Sequence, residues 1–417
     1  MTAADQDVAG PGALAALLSP GHAADPYPTY AKWRERRAVW PVDGRLSVVT
    51  GHAACDAALR DARLGHAEGP VARRIVGRAG GATETQLRSG EPEPPRRSFL
   101  MLNPPDHTRL RRLVSRAFTP ATVGRLAPRI EELTSAWLAQ VDAAAGPVDL
   151  VTTLAAPLPV AVISDLLGIP PADRQLLVSW SDALARGLDP AFLVPAEEVA
   201  RQLQARDEFA GYLGALLRER RQRPGPDLLS ALVEVHDRGD QLTEAELIST
   251  CVLLLVAGHE TTTGLIGMGA LALARRPAEF AKLRARPDLS GPAVEEFLRY
   301  DSPVQLTGRY ALEDTELAGI PVPAGSSVLL LLGAANRDPA LCPDPNDVRV
   351  DREPTRHLAF GHGIHFCLGA PLARLEAQVV FRAMAEHFTD ITLAGPPEWK
   401  PTTVLRGLRH LPLVMQR

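Results

Sequence analysis

The chain has no uninterrupted apolar run long enough to cross a bilayer. Its longest, Gly264 to Ala274, falls far short of the roughly 20 residues that a spanning helix needs. No basic segment followed by an apolar one opens the sequence, so neither a signal peptide nor an anchor is expected. Cysteine is scarce. The four present (Cys55, Cys251, Cys342 and Cys367) lie far apart, without metal-knuckle spacing and too few to staple 417 residues as a disulfide framework. An excess of one charge is also missing: with 23% charged residues the net charge is −4, which excludes a nucleic-acid-binding or disordered chain. A cytoplasmic location, with no membrane and no nucleic-acid partner, is the resulting expectation.

What is present is a large supply of core. Hydrophobic residues make up 46% of the sequence. Length alone would suggest two or three domains, but no repeat and no long linker divides the chain. The expectation is one domain over 1–417, mainly α with a minor β-rich region, its first 25 residues loosely ordered. Short β-like segments flank the turn dipeptide Asp43-Gly44 between Val39 and Thr50. The stretch from Gly65 to Arg97, rich in Gly, Pro and charge, reads as a long binding loop or lid. Helical patterns dominate from Asp106 to about Leu298. Residues 320–332 read as a turn leading into a strand, and 333–366 as mainly irregular. A last helix is expected from Leu368 to about His387.

Two places break the local rules. Thr243-Glu244-Ala245-Glu246 is a capping box that opens a helix expected to persist to Arg276, where Pro277 stops it. In its middle, Ala257-Gly258-His259-Glu260-Thr261-Thr262-Thr263 puts a Gly and three β-branched residues where a buried helix interior disfavours them. One reading is a functional interruption: Ala257 and Thr261, four apart, share a face on which small residues would admit a flat cofactor, with the Thr261 hydroxyl above it. The other is a kink with Thr hydroxyls bonded back to carbonyls.

The second place is Phe360-Gly361-His362-Gly363-Ile364-His365-Phe366-Cys367-Leu368-Gly369. Gly361 and Gly363 permit a tight turn with positive φ. Cys367 then falls just before the last helix, whose dipole and free N–H groups stabilise a thiolate. A thiolate is the ligand that pushes electron density onto haem iron to favour O–O cleavage. Six patterned positions in ten residues have a chance frequency of roughly 10⁻⁸ per starting point at average residue usage.

This loop resembles the haem-binding signature of the cytochrome P450 family, and Ala257-Gly258-His259-Glu260-Thr261 resembles that family's oxygen-activating motif. Glu296-Phe297-Leu298-Arg299 matches its Glu-x-x-Arg pair and lies between the other two, in the family's order. Asp106-His107-Thr108-Arg109-Leu110-Arg111 resembles its propionate-contacting helix. The similarity runs from Asp25-Pro26-Tyr27 to Arg406, and is above all to soluble bacterial members that oxidise natural products such as macrolides.

The resemblance implies a P450 fold and a haem b held by Cys367. His107, Arg111, Arg309 and His357 stand at propionate-contacting positions, as does His365, which could instead brace the loop. It implies a buried structural triad of Glu296, Arg299 and Arg352, although Asn346-Asp347-Val348 replaces the family's usual aromatic-containing segment. Thr261 would hold dioxygen and water while Glu260 relays protons, a pair that argues against the peroxide-driven branch. Electrons would come from a ferredoxin and its NAD(P)H-dependent reductase to a monomeric enzyme. Arg112 and Arg116 would offer that partner a basic patch, or else form a solvated helix face. The loop 65–100, Leu254 to Ala257, Val304 to Leu306 and Val404-Leu405 would line a pocket for a bulky hydrophobic natural product (macrolide, polyketide or terpenoid-like). Two other readings stay open: an oxidase that couples aromatic rings, and a non-catalytic haem- or ligand-binding recruitment module.

Overall fold

A computed structural model describes residues 14, 17, 24–67, 98–115, 118–144, 146–189, 194–237 and 242–417. Most of the expected lid, 68–97, most of the first 25 residues, and Arg116 lie outside the described residues.

The described helices, in chain order, are α1 (Tyr27–Arg36), α2 (His52–Arg60), α3 (Asp106–Ser115), α4 (Pro120–Gly124), α5 (Ala127–Ala143), α6 (Pro157–Leu167) and α7 (Arg174–Ala185). There follow α8 (Ala196–Gln222), α9 (Leu228–Asp237), α10 (Glu244–Ala274), α11 (Pro277–Ala285), α12 (Ser290–Tyr300), α13 (Leu332–Asn336) and α14 (Ala370–His387). The strands are fewer and shorter, and the architecture is mainly α, as expected. β1 (Val39–Asp43) pairs antiparallel with β2 (Leu46–Val49) across the Asp43-Gly44 turn. Ser327–Leu330 lies parallel to β2, and Thr307–Ala311 lies antiparallel to Ser327–Leu330. Leu64–Gly65 completes this five-stranded sheet. A three-stranded sheet joins Val148–Asp149, Pro412–Gln416 and Asp390–Leu393.

Contacts gather the chain into two units, each built from separated segments: 1–64, 124–159 and 261–417 in one, 65–123 and 160–260 in the other. In the first, Phe297 of α12 and Phe381 of α14 meet edge to face at 4.8 Å. Gly269 of α10 makes room for them, since a Cβ there would come within 2.5 Å of Phe381 and 2.8 Å of Phe297. In the second, Trp180 of α7 stacks on Phe209 of α8 at 5.1 Å and donates its indole N–H to Glu208 (2.9 Å).

α10 begins as its capping box dictates. Glu246 accepts the backbone N–H of Thr243 (2.8 Å) and its hydroxyl (3.0 Å), while Thr243 Oγ1 accepts the N–H of Glu246 (3.2 Å). It then runs without interruption through Ala257–Thr263 to Ala274. Neither break nor kink is needed there, because tertiary burial of the helix outweighs the weak propensities of Gly and Thr. Pro277 does not merely end the rod; it sits at the first position of α11, where its missing N–H costs nothing. Among the described helices α10 alone is long and apolar enough to cross a membrane, and 72% of its most apolar window is buried inside the protein.

Two polar knots organise the first unit. Tyr27 donates its hydroxyl to Asp301 (2.6 Å), and Arg406 Nε donates to the same oxygen (2.6 Å). The Arg337 guanidinium lies 3.4 Å from the centre of the Tyr27 ring and 3.8 Å from that of Tyr300. In the other knot, Glu296 takes Arg299 on both oxygens (2.7 and 2.9 Å) and Arg352 on one (3.0 Å). The two guanidiniums then donate to the carbonyls of Asn336, Pro343, Asp344, Pro345 and Asp347. The absent aromatic at 346–348 does not open this knot, since the segment enters it through main-chain oxygens.

Glu296 is 3% exposed and Arg299 fully buried. Removing the carboxylate would strand both cations. Glu296→Ala should therefore cost about 3–5 kcal/mol of stability in urea unfolding. A loss below 1 kcal/mol would show that the carbonyls alone hold the knot.

Candidate active site

Cys367 lies in the first unit, at the end of a loop whose shape glycine makes possible. Gly361 and Gly363 have φ of +67° and +71°. A Cβ on Gly363 would also come within 2.4 Å of the Leu59 carbonyl of α2, so no other residue fits that position. The loop closes when the Cys367 N–H donates to Phe360 O (2.9 Å). Leu368 and Gly369 are not yet helical; α14 starts at Ala370, two residues later than the sequence suggests, with Gly369 as its N-cap. The half-buried Cys367 thus precedes a helix N-terminus, which favours the thiolate.

Behind the loop, Arg374 of α14 lies 4.5 Å from the Phe360 ring centre and pairs with Glu295 through two hydrogen bonds (2.6 and 2.8 Å). Burial alone would raise the Glu295 carboxyl, but Arg374 and His357 outweigh it and hold its pKa down at about 2. The structure gives His357 a partner that the sequence did not suggest. Its Nδ1 accepts the Ala359 N–H (3.3 Å), which leaves the ring proton on Nε2, 3.1 Å from Glu295. His365 lies in the cysteine loop, half-buried.

Arg309, on strand Thr307–Ala311, is the electrostatic anomaly. Its guanidinium is 8% exposed and donates to Gly308 O (2.9 Å) and Thr307 Oγ1 (3.3 Å). No carboxylate among the described residues pairs with it, and burial pushes its pKa down to about 10. A buried cation of this kind calls for an anion, and the carboxylate of a haem propionate fits the donor set. In the same unit, Val304 and Leu405 form an antiparallel bridge, and Gln305 N–H donates to Val404 O (2.9 Å). These backbone contacts bring the segments 304–306 and 404–405 side by side, with Val304 packed against the core that includes Val49 and Leu330.

In the second unit, His107 and Arg111 stand one turn apart on α3. His107 is 2% exposed, and burial, then the Arg111 charge, lowers its pKa. Arg109 of α3 holds Glu246 at the start of α10 (2.7 Å), and Arg112 is exposed. Leu254 of α10 is buried. Ala257 is exposed, with Leu253 and Thr261, four residues to either side, half-exposed, while Leu255, Val256, His259, Glu260 and Thr262 are buried. Leu253, Ala257 and Thr261 thus form one accessible stripe along the middle of the helix, with Val252 and Gly258 also half-buried beside it. Leu253 is part of it and was not singled out from the sequence, because a leucine in an apolar run carries no distinguishing signal.

A cysteine framed by glycines ahead of a helix fits a haem-thiolate enzyme. The sequence profile of the cytochrome P450 family matches residues 79–286 and 292–406, and the chain belongs to that family. It is therefore a monooxygenase, an oxidoreductase whose cofactor is haem carried on a cysteine thiolate. It is 41% identical over 410 residues to the cytochrome P450 monooxygenase PikC of Streptomyces venezuelae, covering 96% of this chain and 93% of that one. To 6-deoxyerythronolide B hydroxylase of Saccharopolyspora erythraea it is 40% identical over 410 residues, covering 95% and 98%. The ligand-free crystal structure of Mycobacterium smegmatis CYP164A2 superposes with a TM-score of 0.87 at 42% identity, covering 96% and 99%.

If Arg309 holds a propionate, Arg309→Leu removes that partner and one uncompensated charge together. Haem should transfer to an excess of a scavenging apoprotein about 10- to 100-fold faster, while the haem-free protein unfolds at no lower urea concentration. Unaltered haem transfer would detach Arg309 from the cofactor.

Proposed function

We propose that Cys367 would ligate the haem iron as a thiolate and that Arg309, His107 and Arg111 would hold the propionates, with His365 and His357 contributing beside them. His357 takes part through the Glu295–Arg374 network that it already joins. When bound, haem supplies the reduction and cleavage of dioxygen and the delivery of one oxygen atom to the substrate. The protein's share is to exclude water, orient the substrate and manage protons. Thr261 presents its hydroxyl on the open face of α10. Glu260, buried and next to it, is the acid–base group that passes protons to that hydroxyl. The observation that carries this reading is the accessible stripe Leu253, Ala257, Thr261, which supports Thr261 lying on a face of α10 that a flat group could approach.

The substrate we infer is a bulky, mainly hydrophobic natural product of macrolide or polyketide type. The apolar residues of the paired segments 304–306 and 404–405 support this, as do the relatives named polyketide biosynthesis cytochrome P450 PksS and 6-deoxyerythronolide B hydroxylase. Hydroxylation or epoxidation is the expected outcome. In this reading a ferredoxin with its NAD(P)H-dependent reductase supplies the electrons, in the cytoplasm, as the resemblance to soluble bacterial members of the family implies.

Three measurements test this. Cys367→Ser should lose the absorption that marks thiolate ligation in the reduced, CO-bound protein; an unchanged spectrum and haem content would move the ligand elsewhere. Thr261→Ala should keep the spectrum yet divert about tenfold or more of the electrons from product to peroxide or water. Unchanged coupling of NAD(P)H to product would remove Thr261 from proton delivery. Titration with macrolides and polyketides, beside fatty acids and aromatic monomers, should give a spin-state shift with the bulky scaffolds. Shifts only with the small compounds would overturn the substrate class and leave the enzyme class standing.

A further inference from the structure

Immediately before Glu260, α10 carries a histidine that the mechanism above does not use. His259 is 1% exposed, and its Nδ1 lies 2.9 Å from the Ser181 hydroxyl of α7 and 3.5 Å from Glu260 Oε1. Ser181 is fully buried and Glu260 is 7% exposed. On the neighbouring side, Ile163 of α6 packs against Gly258 and adds no charge. Asp182, the residue after Ser181, brings a carboxylate on α7 that is exposed to water. With Glu260 ionised, a ring nitrogen between the two oxygen atoms can bind both only as an N–H donor, since a bare lone pair would face the lone pairs of the carboxylate. The proton of neutral His259 is accordingly assigned to Nδ1.

We propose that His259 is a positioning residue for Glu260: its Nδ1–H, divided between Ser181 and the carboxylate, sets how readily Glu260 releases and regains its proton. This rests on the reading that Glu260 handles protons. When Glu260 gives up its proton toward Thr261, the charge left on Oε1 is met by the Nδ1–H; when Glu260 is reprotonated, that N–H turns wholly to Ser181. The imidazole neither gains nor loses a proton in either step.

The arrangement fixes two signs. A hydrogen-bond donor beside a carboxylate favours its ionised form, so losing the His259 donor raises the pH at which Glu260 ionises. Ser181 competes for the same hydrogen, so losing its hydroxyl frees the donor and lowers that pH. Side chains that merely filled space would not give opposite shifts.

The test uses the full-length, haem-loaded protein. Infrared difference spectra recorded against pH follow the protonated-carboxyl stretch that Glu260→Gln abolishes, and a second profile follows product formed per NAD(P)H. His259→Phe should move both midpoints up by about one pH unit. His259→Asn, which returns an amide N–H near Nδ1, should bring them back toward the parent, and Ser181→Ala should move them down. Shifts of the same sign in His259→Phe and Ser181→Ala, or none in either, overturn the proposal. Should His259→Phe fail to fold, Ser181→Ala decides alone, and an unmoved midpoint overturns it. If Glu260→Gln couples as well as the parent, the proton-handling reading falls and this one with it. If Glu260→Gln is uncoupled while the His259 and Ser181 midpoints stay fixed, only the role of His259 is lost.

Discussion

The Glu296 carboxylate bears the constraint on which the haem-bearing end of the chain depends. Between α13 and α14 more than thirty residues pass with almost no regular structure, so no ladder of backbone hydrogen bonds fixes their path. Side chains do it instead. Arg299 and Arg352, neutralised by Glu296, reach five carbonyls of this stretch, and the Arg349 N–H returns to Glu296 (3.0 Å). Glu279 takes the Val350 N–H (3.0 Å), and Asn336 takes that of Leu358 (2.6 Å) just ahead of the cysteine loop. Burying two guanidiniums is expensive unless every donor is satisfied. That demand makes the path of the irregular segment specific, and with it the place where the Cys367 loop begins.

Arg309 shows the opposite electrostatic choice. Where Glu296 closes its network within the protein, Arg309 is buried with two neutral oxygens among the described residues to receive its N–H groups. If a haem propionate is the anion it awaits, as proposed above, cofactor binding and folding share one free energy here: the folded protein holds a cation at some cost, which propionate binding would offset. Glu295, His357 and Arg374 form a closed set, so His357 braces the approach to the cysteine loop whatever else it touches.

Much of this was legible because it is local. The capping box of α10, the turn at Asp43-Gly44 and the glycine-framed cysteine each depend on residues within seven positions of one another. Features that depend on distant partners were not. The weak helix formers at 257–263 suggested an interruption; the helix is continuous, and what sets the segment apart is the exposure of Ala257 and Thr261, which depends on what surrounds the helix. Glu295 looks like any helix-surface acid beside the Glu-x-x-Arg pair, and only the tertiary structure joins it to Arg374, 79 residues away. Likewise Ser181 and His259, 78 apart, carry no shared signal along the chain.

The knot of Tyr27, Asp301 and Arg406 bears on how the protein is made. Tyr27 and Asp301 are separated by 274 residues, Asp301 and Arg406 by a further 105. During synthesis at about 5–20 residues per second, Tyr27 would leave the ribosome well before either partner. Its phenol and the ring face that later stacks on Arg337 must then wait in an unfinished first unit. The segments of the second unit are complete once residue 260 has emerged. The order of translation therefore favours early consolidation of the second unit, with the haem-ligating one finishing last.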